Sequence, residues 1–189
     1  MQTKEKLDLL LPKIQNPEFI KNTGLGNELG FHIFDYEPKD ELLIRDYVKR
    51  LVKKLNSEEG NINTVELDLF DILIQVLKSK NVFEKAMELE HKQGSQAVQK
   101  AIGPILTPEA FNTIIEAKVK DAQLILLTGV GKAFPLVRSH TVLNNLHYIL
   151  DKVPVIMFFP GKYNKLELRL FNKFKDDNYY RAFKIIDND

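Results

Sequence analysis

The period of the apolar positions changes several times along the chain, and each change marks an element. "FHIFDY" is an almost unmixed apolar-aromatic run and predicts a buried strand over Phe31–Asp35. In "KDELLIRDYVKRLVKKL", Leu43, Tyr47, Leu51 and Leu55 recur at helical spacing while Arg45, Lys49 and Lys53 lie off that stripe, the pattern of an amphipathic helix. "NTVELDLF" predicts a second strand and "DILIQVLKSK" the helix after it. Upstream, "LDLLLPKI" begins a short helix. Residues 81–103 predict short helices broken near Gly94 and at Gly103-Pro104. "TPEAFNTIIEAKVK" carries a defined start, with Thr107 as N-cap and Pro108 at the first helical position, where its missing N–H removes no bond.

"AQLILLTG" and "VPVIMFF" lack polar alternation, as expected of strands covered on both faces. Between them, "RSHTVLNNLHYIL" returns to helical spacing through Val142, Leu146 and Ile149. This alternation of strands and helices predicts a three-layer α/β fold, a mostly parallel sheet flanked by helices. The end of the chain departs from it. "LELRLF" and "YYRAFKII" are separated by seven residues that include Asp176-Asp177-Asn178, with no helical stretch, so an antiparallel hairpin is expected at one edge of the sheet.

No repeat, low-complexity tract or Pro/Gly/Ser linker divides the 189 residues, so a single domain over 1–189 is expected. A domain of that size buries roughly 70% of its unfolded surface. Charge narrows the function classes: 27 basic residues against 26 acidic produce no global field toward nucleic acid or anionic lipid, so any such contact requires local clustering. The chain has no cysteine, which excludes disulfides, thiolate metal sites and thiol nucleophiles. "MQTKEKLDLLLPKIQNP" lacks the unbroken apolar stretch of a signal peptide, and no window approaches the roughly 18 apolar residues of a membrane span. A cytoplasmic protein without membrane contact is expected.

Several motifs nearly match known chemistry. "LILLTGVGKAF" places a glycine loop with a lysine after a buried strand. A phosphate loop, however, needs a glycine where Leu126 stands, inside the strand, and a metal-binding hydroxyl where Ala133 stands. The loop still falls at a strand carboxyl end, where open α/β sheets bind ligands. Gly129, Gly131, Lys132, Arg138 and His140 are therefore a candidate site for an anion or a partner's acidic group. "GLGNELG" fails as a dinucleotide fingerprint, because Gly24, Gly26 and Gly30 are spaced one residue too long and precede a strand.

Of the four histidines, His32, His91, His140 and His147, the last two lie two helical turns apart, beyond the one-turn spacing of a metal-gripping pair. His32 sits among apolar strand residues and reads as a hydrogen-bonded core histidine. Asp35 and Asp68 both fall near strand ends. They either converge at the sheet's carboxyl edge or, the favoured reading, cap the next turn or helix, a role equally open to Asp71. No nucleophile elbow is present, and no cofactor is expected. From Lys162 to Lys175 five basic residues face one acidic residue, but Asp176 and Asp177 come next. Strand alternation would also divide Tyr179 and Phe183 from Tyr180, which suits packing better than a single base-stacking platform.

Three segments together resemble the BrxB family of bacterial BREX phage-defence systems. They are "GLGNELGFHIFDYEPKDELLIR", "LTGVGKAFPLVRSHTVLNNL" and "VPVIMFFPGKYNKLELRLFNKFKDDNYYRAF". The likeness runs from about residue 7 to 186, and its most specific signature is Asp176, Asp177, Asn178, Tyr179, Tyr180 and Arg181. The resemblance implies a core component with no catalytic residues to carry over, an adaptor that binds other BREX proteins. PglZ, which has an alkaline-phosphatase-like domain, and the large BREX ATPase lead as partners. A nucleic-acid-binding subunit and a degenerate nucleotide-binding protein are the alternatives.

Overall fold

The structure, a computed structural model, describes residues 1–21, 30–137, 153–176 and 182–187. A parallel sheet forms its centre. β1 (Phe31–Tyr36), β2 (Thr64–Asp68), β3 (Leu124–Thr128), β4 (Val155–Tyr163) and β7 (Phe183–Lys184) lie in the order β2-β3-β4-β1-β7, and each neighbouring pair is parallel.

Successive residues of a strand point to opposite faces, and the two faces have separate cores. Phe31, Ile33, Ile125, Leu127, Val155, Met157 and Phe159 pack against helices α4 (Leu69–Ser79), α5 (Phe83–Gln93), α6 (Ser95–Ile102) and α7 (Pro108–Val119). Phe34, Tyr36, Leu124, Leu126, Ile156 and Phe158 pack against α1 (Thr3–Ile14) and α3 (Glu41–Leu55). Both faces of the inner strands are thus covered, which is why their sequences show no polar alternation. The expected three-layer α/β fold is present.

Local signals act as the residues require. The Thr107 hydroxyl accepts from the Ala110 amide at the start of α7. Gly94, at φ 80°, separates α5 from α6. In α3 the buried stripe is Ile44, Val48, Leu51 and Leu55, so the expected stripe holds only in its second half. A strict four-residue step drifts about 40° per step around a helix of 3.6 residues per turn, whereas alternating steps of four and three stay on one face. Leu43 is consequently 39% exposed, and the Tyr47 hydroxyl donates to the Leu7 carbonyl.

The antiparallel C-terminal hairpin is present with different arms. β5 (Leu168–Leu170) pairs with β6 (Phe174–Asp176), and β5 also pairs with the extended end of β4. The turn is Phe171-Asn172-Lys173, closed by the Lys173 amide on the Leu170 carbonyl, with Phe171 at φ 52° and Asn172 at φ 61°. The expected second arm, "YYRAFKII", instead places Phe183 and Lys184 beside His32 and Ile33 as a parallel strand. Gly161 permits the β4–β5 approach, because a Cβ there would lie 2.0 Å from the Arg169 carbonyl oxygen. The helix expected through Val142, Leu146 and Ile149 lies outside the described residues, as do Gly24 and Gly26.

Candidate functional site

The carboxyl ends of the parallel strands hold two separate charged centres. The first is the loop after β3. Gly129, at φ 72°, starts the short helix α8 (Val130–Ala133), and a Cβ on it would come within 2.2 Å of an Asp68 carboxylate oxygen. Asp68 caps α4, its Oδ1 accepting from the amides of Phe70 and Asp71, so the capping role expected of it is the one it has. Its other oxygen forms an ion pair with Lys132, whose ammonium also lies over the Phe70 ring. Gly131 packs against Phe171 and Pro160, where a Cβ would approach to about 3 Å. The loop is therefore closed on its own carboxylate. Leu126 lies within β3 and Ala133 is fully buried, matching the motif failures read from sequence. Arg138 and His140 lie outside the described residues, as do His147 and the signature from Asp177 to Arg181; of Asp176 only the backbone, in β6, is described.

The second centre was not legible as a unit. Asp35, at the end of β1, is 5% exposed and caps nothing. Its Oδ1 accepts from the Lys6 ammonium at 2.7 Å, and Oδ2 accepts from Lys184 at 2.9 Å and from the Tyr163 amide at 3.2 Å. Lys6 also donates to the Asp35 carbonyl at 3.0 Å, and Lys184 approaches the Tyr163 carbonyl at 3.4 Å. Asp35 and Asp68 do not converge: two strands stand between theirs, a separation of about 14 Å at normal strand spacing. Each is neutralised where it stands.

This second centre forms the floor of a cleft of about 490 Å³ lined by the first turns of α1, the end of β1, the β4 extension and Lys184. Its place follows from the topology. The chain leaves β1 through α3 on one face, and leaves β4 through a hairpin that packs on the other. The carboxyl ends of these neighbours therefore diverge, as at the ligand crevice of open α/β sheets. On the cleft wall, the Tyr36 hydroxyl donates to Glu41; burial, then that carboxylate, raises its pKa above the ordinary tyrosine range. The signal that would have found this centre was polar residues at buried periodic positions: Thr3 and Lys6 on the α1 stripe that continues through Leu7, Leu10 and Ile14, and Asp35 in register with inward-facing Phe31 and Ile33.

His32 is held by rings, with Phe19 at 4.8 Å and Phe183 at 6.0 Å between centroids. Among the described residues no group of three histidine or acidic side chains is placed to hold a metal ion, and no helix is long and apolar enough to cross a membrane.

Fold and cleft together define a parallel three-layer α/β domain with a polar crevice at its topological switch. Comparison with known proteins narrows this class. The family model described as BREX protein BrxB matches residues 65–185. A BREX protein BrxB of Bacillus cereus (strain H3081.97) is 44% identical over 187 residues, covering 97% of each chain. A second, from Escherichia coli O9:H4 (strain HS), is 33% identical over 183 residues, 96% of this chain and 90% of its own. No solved structure matches. The chain belongs to the BrxB family of BREX proteins.

Burial, then the charge of Lys13, lowers the His32 pKa from 6.5 to about 4. Between these values the unfolded chain binds a proton that the folded chain refuses, so stability is full above pH 6.5 and falls as the pH drops toward 4. Urea unfolding at pH 7 and pH 5 is expected to show a loss of up to about 2 kcal/mol from this group, absent in His32→Gln. An equal loss in the variant would show that other groups carry it.

Proposed function

We propose that this chain is a non-catalytic adaptor of a BREX antiphage system, a cytoplasmic protein that binds other BREX subunits through its C-terminal hairpin. The observation that supports this most directly is Phe174. It is 50% exposed, yet its ring stands 5.0 Å from Phe134 and 6.5 Å from Phe171. An aromatic held in place while half in water loses little freedom on binding, and such residues dominate interface energies. Exposed Lys173 precedes it in the hairpin turn, which suits an acidic partner surface. The internal pairing of Lys132 with Asp68 also favours a binding role over phosphate chemistry at that loop. PglZ and the large BREX ATPase are the partners this reading names. Co-expression with the other BREX subunits, followed by affinity purification, should recover one of these two with the wild type. It should recover at least about tenfold less with Phe174→Ala, at nearly unchanged thermal stability. Recovery of no BREX subunit by the wild type, or equal recovery by the variant, sinks the proposal.

One observation favours nucleic acid as a second reading. The strand register sets Lys162, Arg169 and Lys175 side by side across β4, β5 and β6. Like charges directly opposite are unfavourable, and Glu167 offsets only part of this row by pairing with Arg169 and Lys175. Their ammonium and guanidinium groups in turn hold the Glu167 carboxyl below its usual range. On this reading single-stranded DNA binds with an affinity that falls steeply as salt rises, and Lys162→Ala with Lys175→Ala flattens the slope by about two phosphate contacts. Absence of any gel shift at low salt removes this reading.

A further inference from the structure

The cleft between β1 and β4 has features that neither the hairpin surface nor the packing of the sheet explains. Its floor sets two ammonium groups against one carboxylate, leaving one positive charge where water is largely excluded. Lys6 is only 7% exposed. Across the whole lining, five lysines face three carboxylates, a local +2 in a chain whose total is +1. An excess charge in a poorly solvated place is costly and is offset most directly by a counter-ion.

Hydrogen-bond capacity points the same way. An ammonium has three N–H donors. Lys6 directs two at Asp35, and Lys184 one at Asp35 and one at the Tyr163 carbonyl, so each retains one. Both oxygens of Asp35 are already covered, so this carboxylate presents little uncompensated charge to an incoming anion. Thr3 borders the cleft and is 5% exposed, and its hydroxyl is a donor a ligand there could use. It stands in the first turn of the twelve-residue α1, where the helix dipole favours negative charge. A capping box between Gln2 and Glu5 takes the third amide, which leaves the N–H groups of Thr3 and Lys4 without intrahelical acceptors. Lys162 stands at the rim, exposed and outside any ion pair among the described residues.

We infer that this cleft binds the phosphate group of a small phosphorylated molecule. A tetrahedral dianion neutralises the net +2 and has enough terminal oxygens for the spare Lys6 and Lys184 donors, the Thr3 hydroxyl and the helix N–H groups, where a planar carboxylate has two. The volume of about 490 Å³ lies in the range of pockets that enclose whole small ligands, not a bare ion alone. The site is separate from the Gly129–Lys132 loop, whose lysine is engaged by Asp68.

The test is thermal unfolding and titration calorimetry of the full chain with inorganic phosphate, against sodium chloride at matched ionic strength. A parallel arm uses a nucleoside monophosphate. Phosphate should raise the melting temperature saturably beyond chloride. Thr3→Val, which removes only the hydroxyl, and Lys162→Ala, at the exposed rim, should each weaken binding about tenfold without unfolding the protein. Tighter binding of the nucleoside monophosphate than of phosphate assigns the rest of the cleft to a nucleoside; equal binding assigns the site to the phosphate group alone. No stabilisation beyond chloride, or wild-type affinity in both variants, overturns the inference.

Discussion

Asp35 is a buried carboxylate on which four distant segments meet. Lys6 brings the first turns of α1, Lys184 brings β7, and the Tyr163 amide brings the extended end of β4 to the tip of β1. An apolar contact at this point would hold the segments as well, since replacing a buried ion cluster by packed hydrophobes is often neutral or stabilising. What the charged version adds is direction. It requires α1 to begin beside the β1–β4 divergence and β7 to pair with β1 in one register, because a slip of one residue would turn Lys184 to the other face. The same arrangement keeps a polar floor under the cleft.

A second aspartate–lysine pair stands three strand positions away, at the end of β2. There Asp68 caps α4 and holds Lys132, and Gly129 is required because the space a Cβ would take is filled by that carboxylate. The two pairs divide the carboxyl edge of the sheet into a closed half, around the β3 loop, and an open half, around the cleft. The hairpin lies between them, with Phe171 seated on Gly131 and Lys162 at the cleft rim. A partner seated on Phe174 and a ligand in the cleft would therefore approach the molecule on adjoining surfaces.

Much of the fold was legible in the sequence. Strands covered on both faces show themselves as unmixed apolar runs, and Thr107-Pro108 and Gly94 announce helix boundaries by backbone chemistry that is local. The hairpin was legible as an antiparallel C-terminal element but not in its register. Asp176-Asp177-Asn178 has turn composition, whereas the chain turns at Phe171-Asn172, where a bulky residue takes a left-handed conformation supported by tertiary contact with Gly131 and the Phe134 ring. On the α3 stripe, helical spacing identifies Leu51 and Leu55, and the drift of a strict four-residue repeat displaces the rest. The cleft was not legible because its members lie far apart in the chain. Lys6 and Lys184 each read as one more surface lysine until the fold sets both against Asp35.

The coupling at Asp35 is measured most directly by a double-mutant cycle. Urea unfolding of the wild type, Asp35→Asn, Lys184→Met and the double variant gives the interaction free energy between the two side chains. Asp35→Asn, which leaves two ammonium groups without their carboxylate, is expected to be destabilised by a few kcal/mol, and Lys184→Met by less because Lys6 still pairs with Asp35. The double variant should be more stable than the sum of the two losses predicts by at least about 1 kcal/mol, since the Lys184 charge left unpaired by Asp35→Asn is removed. Additive losses, within about 0.5 kcal/mol, would mean that the two groups do not act on each other and that the cleft floor is not a coupled unit.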